Sequence, residues 1–363
     1  MLILLVFYVG VVTTLTRGSM QHGAGQRVVS RYQIVMKNES IHLTIATVCR
    51  NALAYLPACI ESVQPVHQIP GLRVEHLVID GASSDGTPEY LANAARCGLI
   101  TRYVSEPDRG IYDAMNKGIY LARGRVIVFI NADDEILPAA VEACCTPVLE
   151  GAAEYAVASA WCVDGKRSRL LRPRMDRALW RQPYCHQSMY WSRELLMRYD
   201  GFAGEAFPIG ADTDLMRRLY VARVPYVVVP VVSARFYAGG ASSAPESSRD
   251  VYELMLKFAG ACCAEVKQKP ALGAQMMKHL RRYANKRMLL TPGEEVYSAE
   301  SVRLAAFVRQ LVQGLNPVQR FALLQRLRLQ RCWYAVWASC GPGKRRAYSR
   351  LNRELCSLFA DCI

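Results

Sequence analysis

Between residues 41 and 130, apolar runs of strand length alternate with segments of helical spacing, and this alternation constrains the fold more than any other feature of the chain. Residues 41–48 predict a strand and 55–63 a helix. Residues 74–80 predict a second strand, followed by a turn at 81–87 and a helix through 95. Residues 100–105 give a third strand, 112–122 a helix, and 126–130 a fourth strand. Strands that alternate with helices imply a parallel, doubly wound sheet. Ligands of such sheets bind beyond the carboxyl ends of the strands. Those ends read Thr47 to Asn51, Asp80-Gly81, Glu106-Pro107-Asp108 and Asn131-Ala132-Asp133-Asp134. Any one of them is readable as a helix cap, because Asp and Asn favour that position. Polar or acidic ends on successive strands point instead to one ligand rim.

Composition narrows the class. Of 363 residues, 52% are hydrophobic and 21% charged, which describes a globular chain and excludes a disordered or collagen-like one. The net charge of +14 is unevenly spread. Residues 1–40 carry 4 basic and 1 acidic residue, 41–260 carry 23 and 24, and 261–363 carry 18 and 6. A near-neutral body thus bears a basic tail, suited to an anionic membrane surface or simply to a solvated helical face. A nucleic-acid-binding reading of that tail leaves the acids of residues 80–134 without a job, so no nucleic acid is expected. The 13 cysteines show no Cys-x-x-Cys spacing and include the adjacent pairs Cys144/Cys145 and Cys262/Cys263. They read as packing thiols of a reducing compartment. Residues 2–16 are apolar but shorter than the roughly 20 residues of a comfortable span. With Arg17, Arg27, Arg31 and Lys37 behind them, they read as an anchor that leaves the rest of the chain cytoplasmic, or as a start placed ahead of Met36.

After Pro138 the pattern loosens. Residues 155–163 and 169–172 predict a hairpin, 193–199 and 212–221 helices, and 226–232 a strand. Residues 242–248 have linker composition, and the chain beyond 251 is helix-like, with 319–331 an amphipathic candidate. The expected organisation is an apolar segment and linker over 1–40, one α/β domain over 41–245 and a basic helical region over 251–363. The chain contains no G-x-G-x-x-G after its first strand and no P-loop, so dinucleotide and NTPase readings lack their key feature.

Several runs carry chemistry. Adjacent carboxylates such as Asp133 and Asp134 repel unless a cation lies between them, and carboxylates with phosphate oxygens are the usual Mg2+ or Mn2+ donors. An Asp at the end of the second strand, Asp80, is suited to accept hydrogen bonds from a base edge or ribose. The run 106–118, EPDRGIYDAMNKG, mixes acids, cations, Tyr112 and Asn116 in a way that core packing does not demand. Asp108 and Arg109 are candidates for ribose and diphosphate there, with Asn116 and Lys117 bracing the loop. His186-Gln187 precedes an aromatic segment, and Asp212 and Asp214 open a helix; an Asp facing a cleft there is a candidate general base toward a sugar hydroxyl. Arg235, ahead of Gly239-Gly240-Ala241-Ser242, is a cation beside a glycine hinge.

Taken in order, these runs resemble the family 2 (GT-A fold) glycosyltransferases, in particular the bacterial exopolysaccharide and colanic-acid type. The resemblance rests on residues 47–51, 78–87, 105–118, 131–134, 186–187, 211–215 and 239–242. It implies a nucleotide-sugar donor (UDP ahead of GDP or TDP), a saccharide or lipid-linked acceptor, a divalent metal and an inverting displacement. By the same resemblance Thr47, Asn51 and Asp80 would hold the base and ribose, with Asp85 bracing that loop. Asp108, Arg109 and Asp133 would meet the nucleotide, and Asp134 the metal. Asp212 would be the base, while His186, Gln187 and Arg235 would line the acceptor or diphosphate. Where many relatives carry Glu-Asp this chain has Ala211-Asp212, which leaves Asp214 as a rival base. The runner-up enzyme is a nucleotidyltransferase of similar sheet topology, which usually has a basic Gly-rich loop after its first strand. The expected address is the cytoplasm, either free or peripheral at or anchored to the inner face of the plasma membrane.

Overall fold

A computed structural model describes residues 40–239 and 247–269, with isolated positions between 275 and 319. The apolar segment 2–16, residues 240–242 of the glycine hinge, the Ser-rich stretch up to 246 and residues 320–331 of the amphipathic candidate lie outside the described residues. Strand β1 is Leu43–Cys49, followed by helix α1 (Leu56–Val63), β2 (Val74–Asp80), α2 (Thr87–Arg96), β3 (Arg102–Ser105), α3 (Ile111–Leu121) and β4 (Val126–Asn131). Beyond them come β5 (Glu135–Ile136), α4 (Val141–Leu149), β6 (Tyr155–Asp164), β7 (Arg167–Leu171), β8 (Met189–Ser192), α5 (Arg193–Arg198), α6 (Ala211–Val221) and β9 (Tyr226–Tyr237). Helices α7 (Ser247–Lys257) and α8 (Ala259–Gln268) close the described chain.

The strands form one sheet in the order β3-β2-β1-β4-β8-β6-β9-β5, with β7 paired to β6. The half β3-β2-β1-β4 is parallel throughout. Of these, β2, β1 and β4 are nearly all buried on both faces, which is why they read as unbroken apolar runs, while β3 at the edge is only partly buried. One face packs Ala46, Leu77, Ile127 and Phe129 under α3, α5 and α6. The other packs Leu43, Val126 and Val78 under α1, α4 and α2. The doubly wound α/β expectation therefore holds. The second half of the sheet mixes directions: β8 runs antiparallel to β4 and β6, and β9 parallel to β6.

Three differences from the sequence reading have physical causes. β5 and β8 are only 2 and 4 residues long, too short to show a period. β9 runs through Pro230 to Tyr237 instead of ending at 232, because its pairing with β6 shifts register between Val157 and Ala160. A proline is tolerated at such an irregularity, where its missing N–H costs no ladder bond. α7 already begins at Ser247, inside the stretch of linker composition. All cysteines among the described residues are free thiols, and most are buried, in line with a packing role.

The strand starts, opposite the ligand rim, are tied by Glu75. This buried carboxylate accepts from Thr44 Oγ1 at 2.6 Å, Arg102 Nε at 2.8 Å and the backbone N of Arg123 at 2.9 Å. The turn into β4 passes so close to β1 that a Cβ on Gly124 would lie 2.4 Å from the backbone N of Thr44 and 2.7 Å from the backbone C of Leu43. Backbone cannot yield as a side-chain tip does. Gly124→Ala is expected to destabilise the domain by about 1–3 kcal/mol, the usual cost of overpacking, read as a lowered midpoint in urea unfolding. An unchanged midpoint would mean that this approach is looser than described.

Candidate active site at the strand ends

At the ends of β1 and β2 the polar residues bond mainly to one another. Asp80 is fully buried. Its Oδ2 accepts from Ser105 Oγ at 2.6 Å and from the backbone N of Ser83 at 3.1 Å, while its Oδ1 accepts from the Ser83 hydroxyl. Thr47 is equally buried, with its hydroxyl 3.1 Å from His76 Nε2. Both carry the expectation of holding the base and ribose; in the ligand-free protein Thr47 meets His76 between strands and Asp80 shapes the loop. Asp85 braces that loop as expected, accepting from Leu53 N at 3.0 Å and Thr87 Oγ1 at 2.6 Å, and the Thr87 hydroxyl holds its carboxyl below the usual carboxylate range.

Asn51 is exposed and sits at φ 50°, a left-handed conformation that Asn tolerates. Its Oδ1 accepts from Ser84 N at 2.9 Å. Asp108 folds over Gly81 so closely that a Cβ there would lie 2.1 Å from Asp108 Oδ2, which explains the glycine after Asp80. Arg109 is exposed and pairs with Asp113 and Glu205, clamping the start of α3 to the loop ahead of α6. Asn116 and Lys117 brace the same region, through the Phe202 backbone and the Pro107 carbonyl at 2.6 Å.

Beyond β4, Asp133 is half-buried and Asp134 buried. Helix α4 is preceded by a 3-10 turn from Pro138 and capped by Ala140 without a side-chain bond, so neither Asp is a helix cap. Asp134 Oδ2 accepts from Gln187 Nε2 at 2.6 Å, and its Oδ1 accepts from the backbone N of Tyr237, at the end of β9, at 3.0 Å. Burial and the neighbouring Asp133 still push its pKa up to about 6. A carboxylate held charged against its surroundings, beside a second acid, suits a hard divalent cation. Among the described residues no three His, Cys, Asp or Glu converge to cage one. A cation here would therefore complete its shell from a bound anion and water. Arg235 sits close by on β9, committed to Glu135, whose Oε1 also accepts from Tyr237 Oη at 2.8 Å.

Asp212 opens the third part of the site. It lies in the first turn of α6, only 5% exposed, and the cap of that helix is Gly210. Its Oδ2 faces Gln182 Nε2 at 3.0 Å and His186 Nδ1 at 3.4 Å; its Oδ1 lies 3.1 Å from Tyr112 Oη and accepts from Thr213 N at 2.6 Å. Asp214, the rival, is fully buried between Arg218 Nε at 2.8 Å and Lys257 Nζ at 2.6 Å. Two cations hold it as a structural anion. The end of the loop before α6 is pinned by Asp250 of α7, which accepts from Ile209 N at 2.8 Å and Gly210 N at 3.0 Å.

Sequence reasoning gave Gln182, Tyr237 and Asp250 no role. Gln182 lies in a patternless loop, Tyr237 contributes a backbone atom, and Asp250 follows a stretch of linker composition. A cavity of about 750 Å3 between α3 and the loop 199–208 is lined by Tyr112 and Asp214 but not by Asp80, Asp134 or Asp212. Asp80 and Asp134, at strand ends, and Asp212, at the start of α6, thus lie outside it.

The model of Glycosyl transferase family 2 matches residues 44–207, a span that ends before Asp212. A PGL/p-HBAD biosynthesis glycosyltransferase of Mycobacterium bovis is 33% identical over 152 residues, 40% of this chain and 57% of the relative. The match thus spans little more than half the length of that relative. An uncharacterized glycosyltransferase of Mycobacterium tuberculosis is 28% identical over 214 residues, 57% of this chain and 79% of the relative. Among solved structures, S. aureus TarS 1-349 in complex with UDP-GlcNAc is similar with a TM-score of 0.54 at 14% identity, covering 87% of this chain and 92% of that one. At that identity the likeness bears on the fold, which is the GT-A arrangement.

The raised Asp134 carboxyl gives a pH signature without any ligand. Unfolded, it ionises near 3.8; folded, near 6. Stability contributed by the neutral form is thus full below about pH 4 and lost as pH rises through about 6, a loss on the order of 3 kcal/mol at 1.36 kcal/mol per pH unit. Metal-free Asp134→Asn is expected to flatten that limb, so its melting temperature gains on wild type at pH 7.5 and not at pH 4. Parallel pH curves for the two proteins would contradict the assignment.

Proposed function

We propose, from the premise that residues 44–207 form a family 2 glycosyltransferase domain, that the protein transfers a sugar from a nucleoside-diphosphate donor to a hydroxyl of a saccharide or lipid-linked acceptor, with inversion at the anomeric carbon. The observation that carries this reading is a pair of buried carboxylates with different surroundings. Asp134 is pressed toward the neutral form beside Asp133 and calls for a cation, whereas Asp212 meets Tyr112, Gln182 and His186 and no Lys or Arg among the described residues. In-line displacement needs those two ends: charge neutralisation at the leaving diphosphate and a base at the attacking hydroxyl.

In the reaction the acceptor oxygen forms a bond to the anomeric carbon as the bond from that carbon to the diphosphate oxygen breaks. The acceptor proton passes to Asp212, and the electron pair leaves with the nucleoside diphosphate. Asp134 would hold Mg2+ or Mn2+, which would supply Lewis-acid stabilisation of that leaving group. Asp133, Asp108 and exposed Asn51 would meet the ribose and base, with Asp80 and Asp85 shaping the neighbouring loop. Arg109 and Arg235 face the donor side only if they exchange their present acidic partners, Asp113 and Glu205 for the one and Glu135 for the other.

UDP is the favoured nucleotide and assembly of cell-surface or exopolysaccharide glycans the favoured setting, both from the family resemblance. A lipid-linked acceptor would also give the basic region beyond residue 260 a purpose at the anionic cytoplasmic face of the plasma membrane. Among the described residues, no helix is long and apolar enough to cross a membrane.

Asp212→Asn is expected to lower kcat by 10²- to 10⁴-fold, the usual contribution of a positioned base, while donor affinity by calorimetry stays within a few-fold. Asp214→Asn, which leaves Lys257 and Arg218 facing a neutral amide, is expected to lower the melting temperature with a far smaller effect on kcat. If the two variants exchange these effects, Asp214 is the base and the role of Asp212 falls.

A further inference from the structure

His186 and Gln187 are adjacent in sequence, yet each reaches a different functional carboxylate. Gln187 Nε2 donates to Asp134 Oδ2 at 2.6 Å, and His186 Nδ1 lies 3.4 Å from Asp212 Oδ2. They occupy a 3-10 turn, His186–Ser188, in which successive side chains point about 120° apart, so neighbours can serve two sites. The turn is rigidly held: it runs directly into β8 in the middle of the sheet, and Ser188 Oγ donates to the Cys185 carbonyl at 3.0 Å. Gln187 is 1% exposed. His186 Nε2 is buried and has no partner among the described residues.

Resting on the glycosyltransferase reading above, we propose that His186-Gln187 is a positioning pair that holds the leaving-group carboxylate Asp134 and the base Asp212 in one fixed relation. Gln187 selects the rotamer in which Asp134 presents its remaining lone pairs. His186 presents Nδ1 toward Asp212 from 3.4 Å, a longer approach than the Gln187 bond to Asp134. With the proton on Nδ1, Nε2 is a buried acceptor that no described residue meets. Neither residue exchanges a proton with substrate in this role. Supporting shells of this kind typically govern metal affinity by 10- to 100-fold.

The test uses the full chain, with Mn2+ in the presence of the wild type's preferred nucleoside diphosphate as the first probe and transfer from the matching nucleotide-sugar as the second. Gln187→Leu is expected to weaken Mn2+ binding 10- to 100-fold in a calorimetric titration, with its melting temperature within a few degrees of wild type. His186→Asn reproduces a donor at the Nδ1 position and is expected to keep kcat within about threefold. His186→Gln, whose amide mimics Nε2, is expected to lose 10-fold or more in kcat at unchanged donor KM. Unaltered Mn2+ affinity in a folded Gln187→Leu overturns the proposal, as does rescue by Gln instead of Asn. A wild type that binds neither Mn2+ nor any nucleotide-sugar sinks the glycosyltransferase reading itself, a separate outcome from failure of the variants alone.

Discussion

Everything at the site depends on the parallel register of β1 with its two neighbours. Cys49 lies level with Asp80 on one side, and Val48 with Asn131 on the other, while Asp80 pairs across to Ser105. A one-residue slip would move every side chain of a strand to the other face of the sheet, against the helices of the other layer. The hydrophobic core therefore enforces the register, and the register brings the ends of β1, β2, β3 and β4 onto one rim. The dispersed acids of the sequence become a single site as a by-product of burying Leu, Ile and Val.

The second half of the sheet brings the remaining parts to that rim. β9 ends with the Tyr237 backbone against Asp134, and the turn before β8 delivers Gln187 to the other oxygen of the same carboxylate. Asp134 is thus pinned by segments about 50 and 100 residues away. A buried carboxylate beside another acid is an expense in stability, of the kind that functional sites retain. Asp214 shows the contrast within one helix turn: similarly buried, it is matched by two cations and becomes a strut. Through Lys257 and Asp250, α7 helps to build the entrance to α6, so the start of the basic C-terminal region is integral to the domain.

Much of this was legible in the sequence. β2 was delimited to the residue, and the alternation of strands and helices gave the sheet its parallel half, because strands buried on both faces are written as continuous apolar runs. Asp134 and Asp212 stood out, though each was readable as a helix cap, because they belong to an ordered set of runs that resembles a family. The inward turn of Thr47 and Asp80 was not legible: whether a polar residue near a strand end faces a ligand or a neighbouring Ser is decided by loop geometry, not by its type. Gln182 and the Tyr237 backbone were invisible for a related reason, since one sits in a loop without period and the other acts through an atom every residue has. The choice between Asp212 and Asp214 needed α7, whose Lys257 lies 43 residues away from Asp214.

The central claim is that Asp134 binds a nucleotide-sugar through a divalent cation. Its most direct test is thermal stability against UDP-, GDP- and TDP-sugars, with and without Mn2+, on wild type and Asp134→Ala. The account predicts that one nucleotide series raises the melting temperature of wild type only when Mn2+ is present, and that the variant, though folded, does not respond. Equal stabilisation of both proteins, or none of folded wild type by any donor with metal present, would contradict it.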